Sequence, residues 1–177
     1  MAKFDRQRLI FGLYLLVLIA AFELLTGALK IPGWPAFLAM IFFFVENMDV
    51  KKAPHIVIGG VFGIALILLA RPIIGALTPL LGGPLAGLAF VLVLVYAIVA
   101  FGEMVPIFFN NYAFMALTVT GVAVMQPNPN PFLWMAIAAI GGAALIAGVI
   151  GIGRLMMAQA TAKAASAAKA TAPSTAP

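Results

Sequence analysis

Two glutamates, Glu23 and Glu103, stand inside otherwise apolar stretches, and chemistry in this chain would start from them. A carboxylate within a membrane span is costly, ~2.5–3.5 kcal/mol on insertion scales, and marks a functional site by default. Around Glu103 the run from Phe101 to Gly121 also carries Pro106, Asn110, Asn111 and Tyr112. Asn110, Asn111 and Tyr112 are expected in an irregular segment entering the fifth span, which hydrocarbon tolerates only where protein or a water-filled cavity covers it. With Asn47, these residues are the candidates to line a pathway. A carboxylate beside a pathway attracts cations, and a readily protonated one couples flux to protons. Each has a plainer reading as well. Glu103 fits a solvated interfacial position, Asn110 to Tyr112 fit an ordinary loop, and Thr118 and Thr120 fit hydroxyls bonded back to their own helix.

Other chemistry is scarce. No nucleophile–base set, P-loop, dinucleotide fingerprint or metal-ligand spacing is present. There is no Cys, one His and five acidic residues. Neither a metal site, a cofactor nor an enzymatic activity is expected. His55, beside Lys51 and Lys52, reads as a loop residue.

The elements that position these groups follow from composition. The chain is 65% hydrophobic and 8% charged, with a mean hydropathy of +1.19; soluble domains are about 25% charged. Apolar runs this continuous exclude the alternating strands of an outer-membrane barrel. The fold class is therefore all-α, a polytopic membrane protein with six transmembrane helices. Residues 1–8 read as a basic flank of a retained first helix, since no small-residue cleavage site follows the apolar run. The spans are expected near Leu9–Leu29, Pro35–Val45, Ile56–Ile74, Leu85–Phe101, within Val105–Met125, and Phe132–Ile152. Trp34 fits an interfacial belt, Thr78 to Pro84 a tight turn, and Gln126 to Pro131 an exposed turn. Arg71 reads as snorkelling to headgroups or pairing with Glu23. Residues 156–177, rich in Ala, Thr, Ser and Pro, are expected to form a disordered tail.

Small residues suggest helix packing. Gly59-x-x-x-Gly63 allows close backbone approach in the third span, and Ala143, Ala147 and Gly151 recur at four-residue spacing in the sixth. An internal repeat is also visible. Ala36-Phe37-Leu38-Ala39 is answered by Ala113-Phe114-Met115-Ala116, and Ile58-Gly59-Gly60 by Ile140-Gly141-Gly142. Residues 9–77 and 78–155 thus form two three-helix repeats, and an odd number of spans per copy makes them inverted. With both termini cytoplasmic, Lys3, Arg6, Arg8, Lys51, Lys52, Arg154, Lys163 and Lys169 fall inside, leaving only Lys30 and Arg71 outside.

The Gly33-Trp34-x-x-Phe37-Leu38 start, the Gly-rich third span and the Phe114-centred fifth span resemble a family of small bacterial inner-membrane proteins. It is domain-of-unknown-function family 1097. The resemblance covers about Leu9 to Arg154 and implies a bacterial inner membrane. It implies no substrate. Taken together, the expected function is a channel or transporter for a small polar or cationic solute, with proton-linked flux included. The alternative is a non-transporting membrane subunit or scaffold docking partner helices. Membrane lipid, a small solute and a homo-oligomer are the expected partners, and nucleic acid is not.

Overall fold

The computed structural model describes residues 6–171, of which 163–171 are described as backbone alone. Every regular element among them is helical. They are α1 (Arg6–Leu29), α2 (Trp34–Val45), α3 (Ala53–Leu81), α4 (Gly83–Phe101), α5 (Asn111–Ala123), α6 (Pro131–Ala136) and α7 (Gly142–Thr171). A 3-10 turn at Val50–Lys52 leads into α3, and a π turn at Ile137–Gly141 joins α6 to α7 as one rod. Four segments are long and apolar enough to cross a membrane: Arg6–Leu29, Val50–Leu81, Gly83–Phe101 and Pro131–Ala162. Helices α2 and α5, at 12 and 13 residues, reach only about 18–20 Å at ~1.5 Å per residue. A hydrocarbon core is ~30 Å thick. The structure thus has four apolar segments of spanning length, rather than the six expected, with two short helices between them, an arrangement compatible with a multi-pass membrane protein.

The helix starts follow local rules. Asn110 caps α5, its Oδ1 accepting from the Ala113 amide at 2.9 Å. Asn130 does the same for α6 through Leu133 at 3.1 Å, with Pro131 in the first turn, where its missing N–H costs nothing. Helix α3 runs through Pro72 and Pro79 to Leu81, so the turn expected from Thr78 shrinks to Gly82, whose φ of 77° suits glycine. Side chains and neighbouring helices resatisfy backbone groups that proline frees in such helices. The tail expected to be disordered instead continues α7 to Thr171, consistent with its alanines, the best helix formers. Residues 1–5 and 172–177, and the Lys163 and Lys169 side chains, lie outside the described residues.

Contacts set the helix directions. Phe22 meets Phe37 and Phe11 meets Phe44 edge-on, at 5.3 and 6.4 Å, so α1 and α2 are antiparallel. Asn110 lies against Gly59 and Ala113 against Gly63, so α5 runs parallel to α3. Ala36 lies against Gly141 and Ala39 against Gly142, so α2 runs parallel to α7. The six rods alternate in direction, placing Arg6, Arg8, Lys51, Lys52 and Arg154 toward one basic end.

Two packing groups result. One is α1, α2 and α7; the other is α3, α4 and α5. They meet along a seam of buried apolar residues, among them Ala36, Phe42, Phe43, Ile56, Ala116 and Ala138. Trp34, expected at a headgroup belt, packs edge-to-face on Trp134 at 5.4 Å at the start of α2. Edge-to-face geometry is a favoured aromatic arrangement, and it gives Trp34 a protein partner.

Candidate functional site

Polar side chains gather at the basic end, where α2 finishes and α3 and α5 begin. The buried ring of Tyr112 lies 5.5 Å from that of Phe42, and its hydroxyl faces the Glu46 carboxylate. Two residues earlier, the Asn110 amide nitrogen donates to the carbonyls of Pro106 at 2.9 Å, Ile107 at 3.1 Å and His55 at 3.4 Å. Asn110 thereby ties the irregular segment before α5 to the first turn of α3. The His55 side chain adds a further group: its Nδ1 is buried with no hydrogen-bond partner. A buried polar atom without a partner is unfavourable, so this nitrogen is an available donor or acceptor beside the cluster. A carboxylate, a phenol, an imidazole and an amide thus lie on three neighbouring helix ends, with the amide already engaged by backbone groups.

The segment from Gly102 to Asn110 is non-helical, whereas Asn111 and Tyr112, expected in an irregular segment, form the first turn of α5. Rings hold it in place. Phe62 of α3 meets Phe108 and Phe109, each at 5.3 Å, and Phe109 meets Phe101 at 5.5 Å. Gly102 is needed for the close passage, since a Cβ there would lie 3.3 Å from the Phe109 carbonyl oxygen.

The other candidates are dispersed. Asn47 is exposed just after α2, in the left-handed region at φ 53°, and Asn111 is exposed on α5. Glu103 is exposed in the irregular segment, and Glu23 is exposed on α1. The Glu23 carboxylate faces the start of α2, where a Cβ on Gly33 would sit 3.4 Å from its Oε1. The two glutamates lie on separate elements and line neither of the two described cavities. Among the described residues Arg71 makes no ion pair with Glu23; it lines a groove between α3, α4 and α5 instead.

Gly59 and Gly63 are buried against the start of α5, and the space of their absent side chains is filled by Asn110 and Ala113. The stripe of Ala143, Ala147 and Gly151 is exposed, which corrects the packing expected there. The buried face of α7 carries Gly142, Leu145, Ile146 and Val149. Small residues make a helix smooth on several sides, and the partner decides which side is used. Here α2 approaches at Gly141 and Gly142, in and just after the π turn.

The seam between the two groups is apolar. A cavity within it has a volume of about 10 Å3, at most room for a single water, lined by apolar residues including Ala39, Ile56, Ala116 and Ala138. Glu46 and His55 were the members that sequence reasoning did not place in the site. Glu46 directly precedes the candidate Asn47, and that adjacency was the available signal.

A family model described as "Protein of unknown function (DUF1097)" matches residues 12–154. No curated protein and no solved structure matches the chain.

Proposed function

We propose a function from one premise: the chain belongs to the DUF1097 family, whose function is unknown. It is an integral membrane channel or transporter for a small polar or cationic solute, proton-linked flux included. The observation that carries this reading is the exchange of the two short helices. Each of α1–α2–α3 and α4–α5–α7 is a long–short–long triplet, and each short helix packs on the last helix of the other triplet. Unusually short helices at corresponding places in two halves are where inverted-repeat transporters build their solute sites.

The sequence offsets support the same symmetry. Ala39 and Ala116 are related by 77 residues, and Ile56 and Ala138 by the 82 that relates Gly59 to Gly141. Both pairs meet at the small central cavity. A pseudo-twofold axis runs through that point, and the apolar seam around it is the closed gate. Solute reaches it from the basic end past Glu46, Tyr112 and His55. The gate opens when the α1–α2–α7 and α3–α4–α5 groups part. The membrane is a bacterial inner membrane with both termini cytoplasmic, a reading supported by the basic residues gathered at one end.

A second reading is favoured by the apolar seam and the exposure of Glu23 and Glu103: a non-transporting subunit that docks partner helices. Reconstitution into proteoliposomes separates the two. Uptake of small polar or cationic solutes above protein-free vesicles, abolished by Ala39→Leu, supports transport. Folded, inserted protein without flux for any solute, with or without a pH gradient, favours the docking subunit.

A further inference from the structure

Outside the candidate site lies a groove of about 930 Å3 between α4 and α5, floored by the second half of α3. That is near the upper end of small-ligand sites. Its walls are mostly apolar, with Ile67, Phe90, Phe114 and Leu117 among them, and Arg71 is its one charged lining residue. The two threonines on it are already committed: Thr78 donates to the Ile74 carbonyl and Thr118 to that of Phe114. No carboxylate lines the groove, and Arg71 forms no ion pair with any described residue. There is also room to spare, because a Cβ added at Gly75, Gly87 or Gly121 would meet nothing within 4 Å.

An unpaired guanidinium on an apolar helix calls for an anion. The groove around it calls for hydrocarbon. We propose that the groove is a phospholipid site, in which an acyl chain lies between α4 and α5 and the Arg71 guanidinium holds the phosphate. Arginine suits this role because its planar fork gives phosphate two parallel hydrogen bonds. Phospholipid is the occupant favoured over a protein helix because the groove offers one cation and otherwise only apolar surface. A protein helix would have to present an acidic residue from within an apolar segment. The inference requires that α3, α4 and α5 lie in a bilayer, and it is independent of whether any solute crosses.

The test is native mass spectrometry of the full chain in detergent, titrated with phosphatidylglycerol or with diacylglycerol of the same tails. The parent should bind phosphatidylglycerol, and Arg71→Gln should weaken that binding about tenfold while leaving diacylglycerol unchanged. Arg71→Lys should retain part of it, and Gly121→Phe, which fills the groove, should weaken both lipids. Circular dichroism of each variant establishes that it is folded. Equal phosphatidylglycerol binding by the parent and Arg71→Gln would overturn the proposal. So would displacement of the lipid by inorganic phosphate at the same concentration. Loss of a dimer in Arg71→Gln with lipid binding unchanged would overturn it too, assigning the groove to a second copy of the chain.

Discussion

The side chain that Gly63 lacks would fall on the backbone of Ala113, whose carbonyl carbon lies 2.9 Å from the position of the missing Cβ. Helices α3 and α5 touch here backbone to backbone. Gly63→Leu is expected to destabilise the folded protein by about 1–3 kcal/mol or more, since overpacking against backbone cannot be relieved by a rotamer change. Gly60→Ala, whose added methyl meets nothing within 4 Å, should be neutral or gain up to ~1 kcal/mol from helix propensity. Thermal unfolding in detergent measures both. Equal effects would mean that α3 and α5 do not meet at this point.

Asn110 both caps α5 and binds the irregular segment to α3. Asn110→Ala should therefore cost about 0.5–2 kcal/mol for the cap alone. Asn110→Asp keeps the accepting oxygen and loses the donor, so its loss should be smaller. The ranking of the two midpoints in the same melt is the check, and an inverted ranking would make the donor side dominant.

Tyr112→Phe removes the hydroxyl that faces Glu46. Leaving a partly buried carboxylate without that hydroxyl is expected to cost about 1–3 kcal/mol. With Glu46→Gln in the same chain, the losses should fall short of additivity by ~0.5 kcal/mol or more, as for groups in contact. Strict additivity in this double-mutant cycle would mean that the two side chains do not interact.

Glu23 and Glu103 are both exposed. Substitution of either by Gln should change stability by no more than about 0.5 kcal/mol. If the protein transports, Glu23→Gln should alter flux or its pH dependence in proteoliposomes, and Glu103→Gln should do so more weakly. Parent-like flux in both variants would remove the glutamates from the pathway.

The proposed orientation, with both termini cytoplasmic, puts the turn at Asn128 and the exposed Gln159 on opposite sides of the membrane. Single cysteines introduced at each, on a background with no native cysteine, should label from opposite sides of intact cells. Labelling of both by one impermeant reagent without permeabilisation would refute the topology.

Much of the helical plan was legible from residue types. Six apolar runs, the prolines and glycines between them, and the capping residues Asn110 and Asn130 located every rod to within a few residues at most ends. The exceptions have local causes. Proline stops helices in water, yet α3 passes through Pro72 and Pro79. The composition of residues 156–171 suggested disorder, yet their alanines extend α7.

What the sequence determined by itself was an all-helical, membrane-type chain with an irregular segment before α5 and membership of its family. What only the tertiary structure decided was which faces meet. It brought Tyr112 to Glu46, set Asn110 into the space beside Gly59, left Ala143, Ala147 and Gly151 uncovered, and kept Glu23 and Glu103 on separate elements. The physical reason is common to all of these. In a water-soluble helix, the apolar stripe declares the buried face. In a helix meant for lipid every face is apolar, because lipid tails and protein interior are equally apolar, and periodicity is silent. The choice then falls to close packing of backbones at glycine and to the few polar groups that must find one another, and both depend on the folded arrangement.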